Sequence, residues 1–135
     1  MAARLFRVVL PVCDIERAAK FYATVLSMQG MRISPGRHYF DCGGTILACF
    51  DANADGDGYD GKPNPEWLYC AVDDIEATHK ACKTAGATFC EEDVHGAASG
   101  NIVTRPWGER SFYIHDPFRN KICFVDSATL FTGRS

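Results

Sequence analysis

Residues 12–16 read Val-Cys-Asp-Ile-Glu, and residues 72–76 read Val-Asp-Asp-Ile-Glu. The two aspartates, Asp14 and Asp74, stand 60 residues apart (74 − 14). Each follows a run of strand-forming residues, FRVVLPV at 6–12 and WLYCAV at 67–72. Each precedes apolar residues at helical spacing, so each aspartate is the expected N-cap of a helix. In the first helix the apolar positions are Ile15, Ala18, Ala19, Tyr22, Val25 and Leu26. In the second they are Ile75, Thr78, Cys82 and Ala85, and Gly86 supplies the stop.

Working outward, short strand candidates follow each helix. They are 29–34, 37–42 and 45–50 in the first half and 87–91, 109–115 and 120–126 in the second. Each half therefore reads strand, helix, three strands. The fold class expected is α+β: two βαβββ modules, at about 4–51 and 66–127, pairing into one curved, mostly antiparallel eight-stranded sheet with a central cleft. A polar linker rich in Asp, Gly and Pro, about 51–65, joins the modules, and a short tail runs from 128 to 135. The whole of 1–135 is read as one domain.

The bulk numbers fit a globular chain: 47% hydrophobic and 23% charged residues. A net charge of −3 leaves no basic excess to neutralise phosphates, so neither nucleic acid nor an anionic membrane is the expected partner. No apolar run approaches the ~20 residues that span a bilayer. The apolar stretch in MAARLFRVVLPV is too short and interrupted for a signal peptide, and Cys13-Asp14 stands where a cleavage site would be. Seven cysteines, an odd number without a C-x-x-C pair, read as reduced thiols inside apolar stretches. The expected location is cytoplasmic.

PWGERSFYIHDPFRNKICFVD (106–126) resembles the end of the second module in the glyoxalase/bleomycin resistance protein/dioxygenase (vicinal oxygen chelate) superfamily. FRVVLPVCDIERAAKFYATVL (6–26) resembles the opening of its first module, and WLYCAVDDIEATHKACKTAGA (67–87) that of its second. Arg119 stands where the family's Asp-Pro turn usually carries Gly, which predicts a turn of different shape.

The resemblance implies a metal site built from four inward side chains. Two sit seven residues before the capping aspartates, at Arg7 and Trp67; the others, on the last strand of each module, fall at about Leu47 and Cys123. A guanidinium has no lone pair to offer, Leu and Trp have no donor atom, and a single thiolate is no site. A slip of one residue, to Phe6, Val8, Glu66 or Leu68, adds one carboxylate. No cofactor is therefore expected. Strand alternation instead groups Arg7, Val9 and Pro11 on one face, and Trp67, Tyr69 and Ala71 on the matching face of the second half. Val8, Leu10, Val12, Leu68, Cys70 and Val72 then face the helices.

An aromatic wall beside a positive charge suits a planar or anionic small molecule. The candidate ligand-binding set is Arg7, His38, Leu47, Trp67, Tyr69, Arg110 and Cys123, with Arg105 and Trp107 beside Arg110 on a rim. Three functions remain open. One is metal-independent binding of a small molecule by a homodimer, as the resemblance to the bleomycin-resistance branch implies. Another is a metal-dependent lyase, isomerase or dioxygenase using a divalent ion on His38, Glu66, Glu109 or His115. The third is a silent domain whose cleft is filled by its own side chains.

Two further features read as structural. His79 falls on the second helix, and His95 in a Gly/Ala-rich loop at 94–100. The linker Asp51, Asn53, Asp55, Gly56, Asp57 matches half of an EF-hand loop, but Lys62 replaces its bidentate Glu and Gly58 its aliphatic residue. It is read as a solvated, turn-rich connection.

Overall fold

The computed structural model describes residues 2–58, 61–94 and 97–133, so His95 lies outside the described residues. The chain divides into two compact units, Met1–Asn64 and Pro65–Ser135, with the boundary at the end of the linker. Each unit has its own βαβββ framework.

In the first unit, strand β1 (Arg7–Pro11) leads into helix α1 (Ile15–Leu26), followed by β2 (Met31–Ser34), β3 (Arg37–Cys42) and β4 (Thr45–Phe50). The Asp14 carboxylate accepts the Arg17 N–H at 3.1 Å, so the cap read from sequence is in place. The sheet order is β1-β4-β3-β2, with β1 and β4 parallel and the other neighbours antiparallel. Val8, Leu10 and Val12 fall on the helix side, as alternation requires. Leu10 and Val12 are fully buried, and α1 lays Ile15, Ala18, Phe21, Tyr22 and Val25 onto that face. The Tyr22 ring meets Phe40 of β3 at 6.2 Å between centroids.

In the second unit, β5 (Leu68–Val72) and α2 (Ile75–Ala85) repeat the opening, with Asp74 accepting the Ala77 N–H at 3.1 Å. Short strands follow: β6 (Thr88–Phe89), β7 (Asp93–Val94), β8 (Ala97–Ala98) and β9 (Val103–Thr104), then the long hairpin β10 (Arg110–His115) and β11 (Lys121–Asp126). The sheet order β5-β11-β10-β6 matches that of the first unit, and again the first strand runs parallel to the last. Strand β9 also pairs with β10, while β7 and β8 pair only with each other. The stretch 94–100 thus contains backbone pairing where a plain loop was expected. Ala and Gly leave that hairpin no sequence signal to distinguish it from a loop.

Two local expectations are corrected. The linker is not simply solvated: Asp51 and Ala52 are buried, and Asp55 is tied back to the β2–β3 turn. Its carboxylate accepts from Ser34 Oγ (2.7 Å), Gly36 N (2.7 Å) and Arg37 Nη1 (3.0 Å). The Ser34 hydrogen bond above all, helped by the Gly36 amide and the Arg37 charge, holds its carboxyl below the usual 3.8. Gly36 is required here, because a Cβ would lie 2.2 Å from the Asp51 carbonyl oxygen. The Asp-Pro turn also keeps its glycine-type shape: Arg119 itself adopts φ 69°. Asp116 holds that turn, accepting the N–H groups of Phe118 and Asn120 at 2.8 Å each.

Among the described residues, no helix is long and apolar enough to cross a membrane.

Candidate functional site

The β5–β11–β10 register decides which side chains meet in the second unit. Tyr69 lies beside Cys123 and Ala71 beside Val125. Across the hairpin, Cys123 faces Tyr113 and Val125 faces Ser111. Partners in a sheet point to the same side. These residues therefore share the face turned away from α2, which holds His79 against Phe89 and Phe112 on the opposite side.

Trp67, just before β5, closes over this far face. Its ring meets Tyr113 edge-on at 4.9 Å and His115 at 5.4 Å, and the Lys121 ammonium lies 5.7 Å from it. Tyr69 sits edge-on to Tyr113 at 6.3 Å. The aromatic grouping expected from Trp67 and Tyr69 is thus present in this unit and larger than expected. Cys90, Tyr113, Cys123 and Val125 are buried beneath it, whereas Tyr69 is 58% exposed.

The buried members are not poised to react. Burial pushes the Cys123 thiol up to about 12, outweighing hydrogen bonds from Ser111 and Tyr113 and the charge of Arg105. Burial likewise raises the Tyr113 hydroxyl, and the neighbouring Cys123 and Tyr69 add to it. Neither group ionises near neutral pH, so neither serves as a thiolate or phenolate nucleophile.

The other sequence candidates go elsewhere. Leu47 pairs with Val8 and Phe40 on the helix side of the first sheet and is buried, so it cannot line the far face; Ile46 and Ala48 hold those positions. His38 shares the Phe40 side and packs on that ring at 5.0 Å. Its Nε2 lies 3.0 Å from the Gln29 carbonyl oxygen, and its Nδ1 accepts from Arg32 Nε at 3.3 Å. The Leu47 correction comes from a register placed one residue from the assumed one, and a shift of one exchanges faces. Arg7 is on the expected face of its own unit, exposed and stacked on Phe6 (4.9 Å) and Tyr39 (5.4 Å).

The rim arginines are also corrected. Arg110 turns toward α2, where its guanidinium binds Glu76 and lies 3.5 Å from Asp126. Arg105 is 2% exposed and belongs to the interior. It donates from Nε to Ser111 Oγ (3.0 Å) and from Nη2 to the Ser111 carbonyl (2.9 Å), with Ser99 and Asn101 carbonyls farther out. Its guanidinium lies 5.1 Å from the Tyr113 ring centre, and Nη1 has no hydrogen-bond partner. Neither arginine presents a free guanidinium to an acidic ligand.

Sequence reasoning missed Tyr113 and Ser111 as members of this face, and weighed Glu109 only as a candidate metal ligand. A signal for Tyr113 existed: folding 109–126 about the Asp-Pro turn sets Tyr113 opposite Cys123. The carboxylate of Glu109 accepts from Trp107 Nε1 (2.8 Å) and from the Phe131 amide (2.9 Å). Beside it, Tyr69, Ala71, Val125, Leu130, Phe131 and Thr132 line a cavity of about 380 Å³.

The positions where the resemblance sets metal ligands do not fit a divalent ion. Arg7, Trp67 and Leu47 bring no donor, Ile46 and Ala48 none either, and Cys123 is a buried thiol. Among the described residues, no three His, Cys, Asp or Glu side chains converge on a point that could hold a metal.

A sequence model described as the Glyoxalase/Bleomycin resistance protein/Dioxygenase superfamily matches residues 4–124. Among solved structures, a glyoxalase-related enzyme from Fulvimarina pelagi is 16% identical, with a TM-score of 0.71 over 99% of this chain and 96% of that one. The oxidase ChaP-H2 is 20% identical, with a TM-score of 0.71 over 93% and 94% of the two chains. A glyoxalase/bleomycin resistance protein from Albidiferax ferrireducens T118 is 23% identical, with a TM-score of 0.65 over 89% and 95%. Likeness at these identities concerns the fold alone. No curated protein matches the sequence.

Proposed function

Since this chain belongs to the glyoxalase/bleomycin resistance protein/dioxygenase superfamily, we propose that it binds a small planar molecule without a metal ion, on the far face of its second unit. The observation that carries this reading is the set Trp67, Tyr69 and Tyr113 on one sheet face, with Tyr69 left 58% exposed above buried neighbours. A flat ring laid against Tyr69 removes apolar surface from water and adds edge or stacking contacts. The donor chemistry at Arg7, Trp67 and Cys123 supports binding that needs no Lewis acid. The homodimer that the resemblance implies, and the cytoplasmic setting expected from the sequence, belong to the same proposal.

The test is a thermal-shift screen with planar aromatic metabolites, on protein purified without chelator and analysed for metals. At least one compound is expected to raise the melting temperature, and binding partners of the folded state do so by mass action. Tyr69→Ala is expected to abolish that rise while leaving the unliganded melting temperature nearly unchanged, because the side chain is exposed. A stoichiometric divalent ion, or a panel that never stabilises the protein, overturns the proposal.

A further inference from the structure

The cavity beside Tyr69 carries a sign. Its inner wall is the far face of the second sheet, with Tyr69, Ala71 and Val125, and Leu130, Phe131 and Thr132 of the C-terminal segment complete it. At about 380 Å³ it lies near the lower end of the range for small-molecule sites, room for one or two rings. Among the described residues, every lining side chain is apolar, aromatic or a neutral hydroxyl except one, Glu109.

Glu109 is held in position by neutral donors, the Trp107 indole N–H and the Phe131 amide. Each carboxylate oxygen keeps a further lone pair. Among the described residues, no Lys, Arg or His forms an ion pair with it. Its neighbours in sequence do not answer the charge. Arg110 is committed to Glu76 and Asp126 on the helix side. Arg105 gives its backbone N–H to the Glu109 carbonyl (2.7 Å), and its guanidinium donates through Nε and Nη2 to Ser111, Ser99 and Asn101 and makes no ion pair with the Glu109 carboxylate. A carboxylate beside apolar walls, fixed but without a counter-ion among the described residues, costs desolvation that an incoming cation offsets.

We propose that this cavity selects a compact aromatic cation, a primary ammonium attached to one or two rings, with Glu109 as its counter-ion. The ring packs on Tyr69, Val125 and Phe131, and the ammonium donates to Glu109 within reach of the two aromatic faces, which favour a cation in their own right. An aromatic carboxylate of the same size meets Glu109 as a like charge and is excluded. This deepens the proposed function and rests on it, replacing the anionic preference expected from sequence.

Three probes of matched size test it on the full chain by isothermal titration calorimetry: 2-phenylethylamine, 2-phenylethanol and 3-phenylpropanoate. The ammonium is expected to bind about tenfold more tightly than the alcohol and the carboxylate more weakly still, with the spread narrowing as salt is raised. Glu109→Gln is expected to remove the ammonium's advantage, so that in the variant the ammonium and the alcohol bind with about the same affinity. Should Glu109→Gln unfold, the order of the three probes on the wild-type chain, ammonium over alcohol over carboxylate, serves in its place. Alcohol binding without an ammonium preference, or a preference for the carboxylate, overturns this inference and spares the planar-ligand reading. Failure of all three to bind overturns both.

Discussion

The two units share one blueprint but distribute their aromatic residues differently. In the first, α1 itself carries Phe21 and Tyr22 into the core, with five buried side chains along its length. In the second, α2 buries only Ile75 and Cys82, and the bulk comes from the sheet through Phe112 and Phe124. With strand aromatics supplying the core on one side, the second sheet also places Tyr113, Tyr69 and Trp67 on the other. The first sheet shows Arg7, Val9 and Tyr39 on its equivalent face. The same topology thus produces a helix-anchored unit and a sheet-anchored one, and the proposed recognition surface belongs to the latter. Where the heavy side chains sit along a βαβββ repeat, not the repeat itself, decides which half presents an aromatic face.

The largest expected effect tests that contrast directly. Phe21→Ala is expected to destabilise by about 3–5 kcal/mol, because a buried aromatic leaves both lost transfer energy and a cavity. Cys82→Ala, the matching change in α2, is expected to cost about 1–2 kcal/mol, since little volume is removed. Chemical denaturation of the two variants measures the difference. Equal losses would break the distinction between the units.

A smaller effect concerns acid. Among the described residues, each unit has one carboxylate with a clearly lowered pKa, Asp55 in the first and Glu76 in the second. For Glu76 the cause is chiefly the hydrogen bond from Arg110. Because the folded values lie below the unfolded ones, the stability they contribute is present above the ordinary 3.8 and 4.5 and is lost as pH falls through the folded values. The Asp55 side chain is 9% exposed and that of Glu76 61%, so solvent screens the second pair more. Asp55→Asn is therefore expected to flatten the acid limb of a melting-temperature profile between pH 5 and 2 more than Glu76→Gln does. The reverse order would show that the linker tie is not what separates the units in acid.

The smallest effect lies at the helix ends. The C-cap of α2 is Gly86 at φ 82°, whereas α1 ends on Ser27 at φ 56°, in the same left-handed region. Ser27→Gly is expected to stabilise, and Gly86→Ser to destabilise, each by about 0.5–1 kcal/mol in denaturant titrations. Unchanged midpoints would mean that the capping hydrogen bonds, and not backbone preference, set these termini.

Much of this was legible before any coordinates. Asp14 and Asp74 announce helix starts because an N-cap is a contact across three residues, and Gly86 marks its stop for the same reason. Alternation assigns Leu10 and Val12 to the core because side chains on a strand must point to opposite faces in turn. The order of elements in each half follows from such local rules repeated twice. The candidate site was only half legible. Trp67, Tyr69 and Cys123 lie together, while Leu47, His38 and Arg110, also counted among the candidate binding residues, lie on the helix side of their sheets.

What the sequence by itself determined, then, is the pair of βαβββ units, their caps and their alternating faces, all set by interactions within a few residues. Only the tertiary structure decided that Tyr113 lies beside Cys123, that Arg105 is an interior residue bonded to Ser111, and that Glu109 borders the cavity beside Tyr69. These depend on strand register and on which distant backbone groups pair. A shift of a single residue in that pairing turns every side chain to the opposite face, and no local pattern in the sequence reports it.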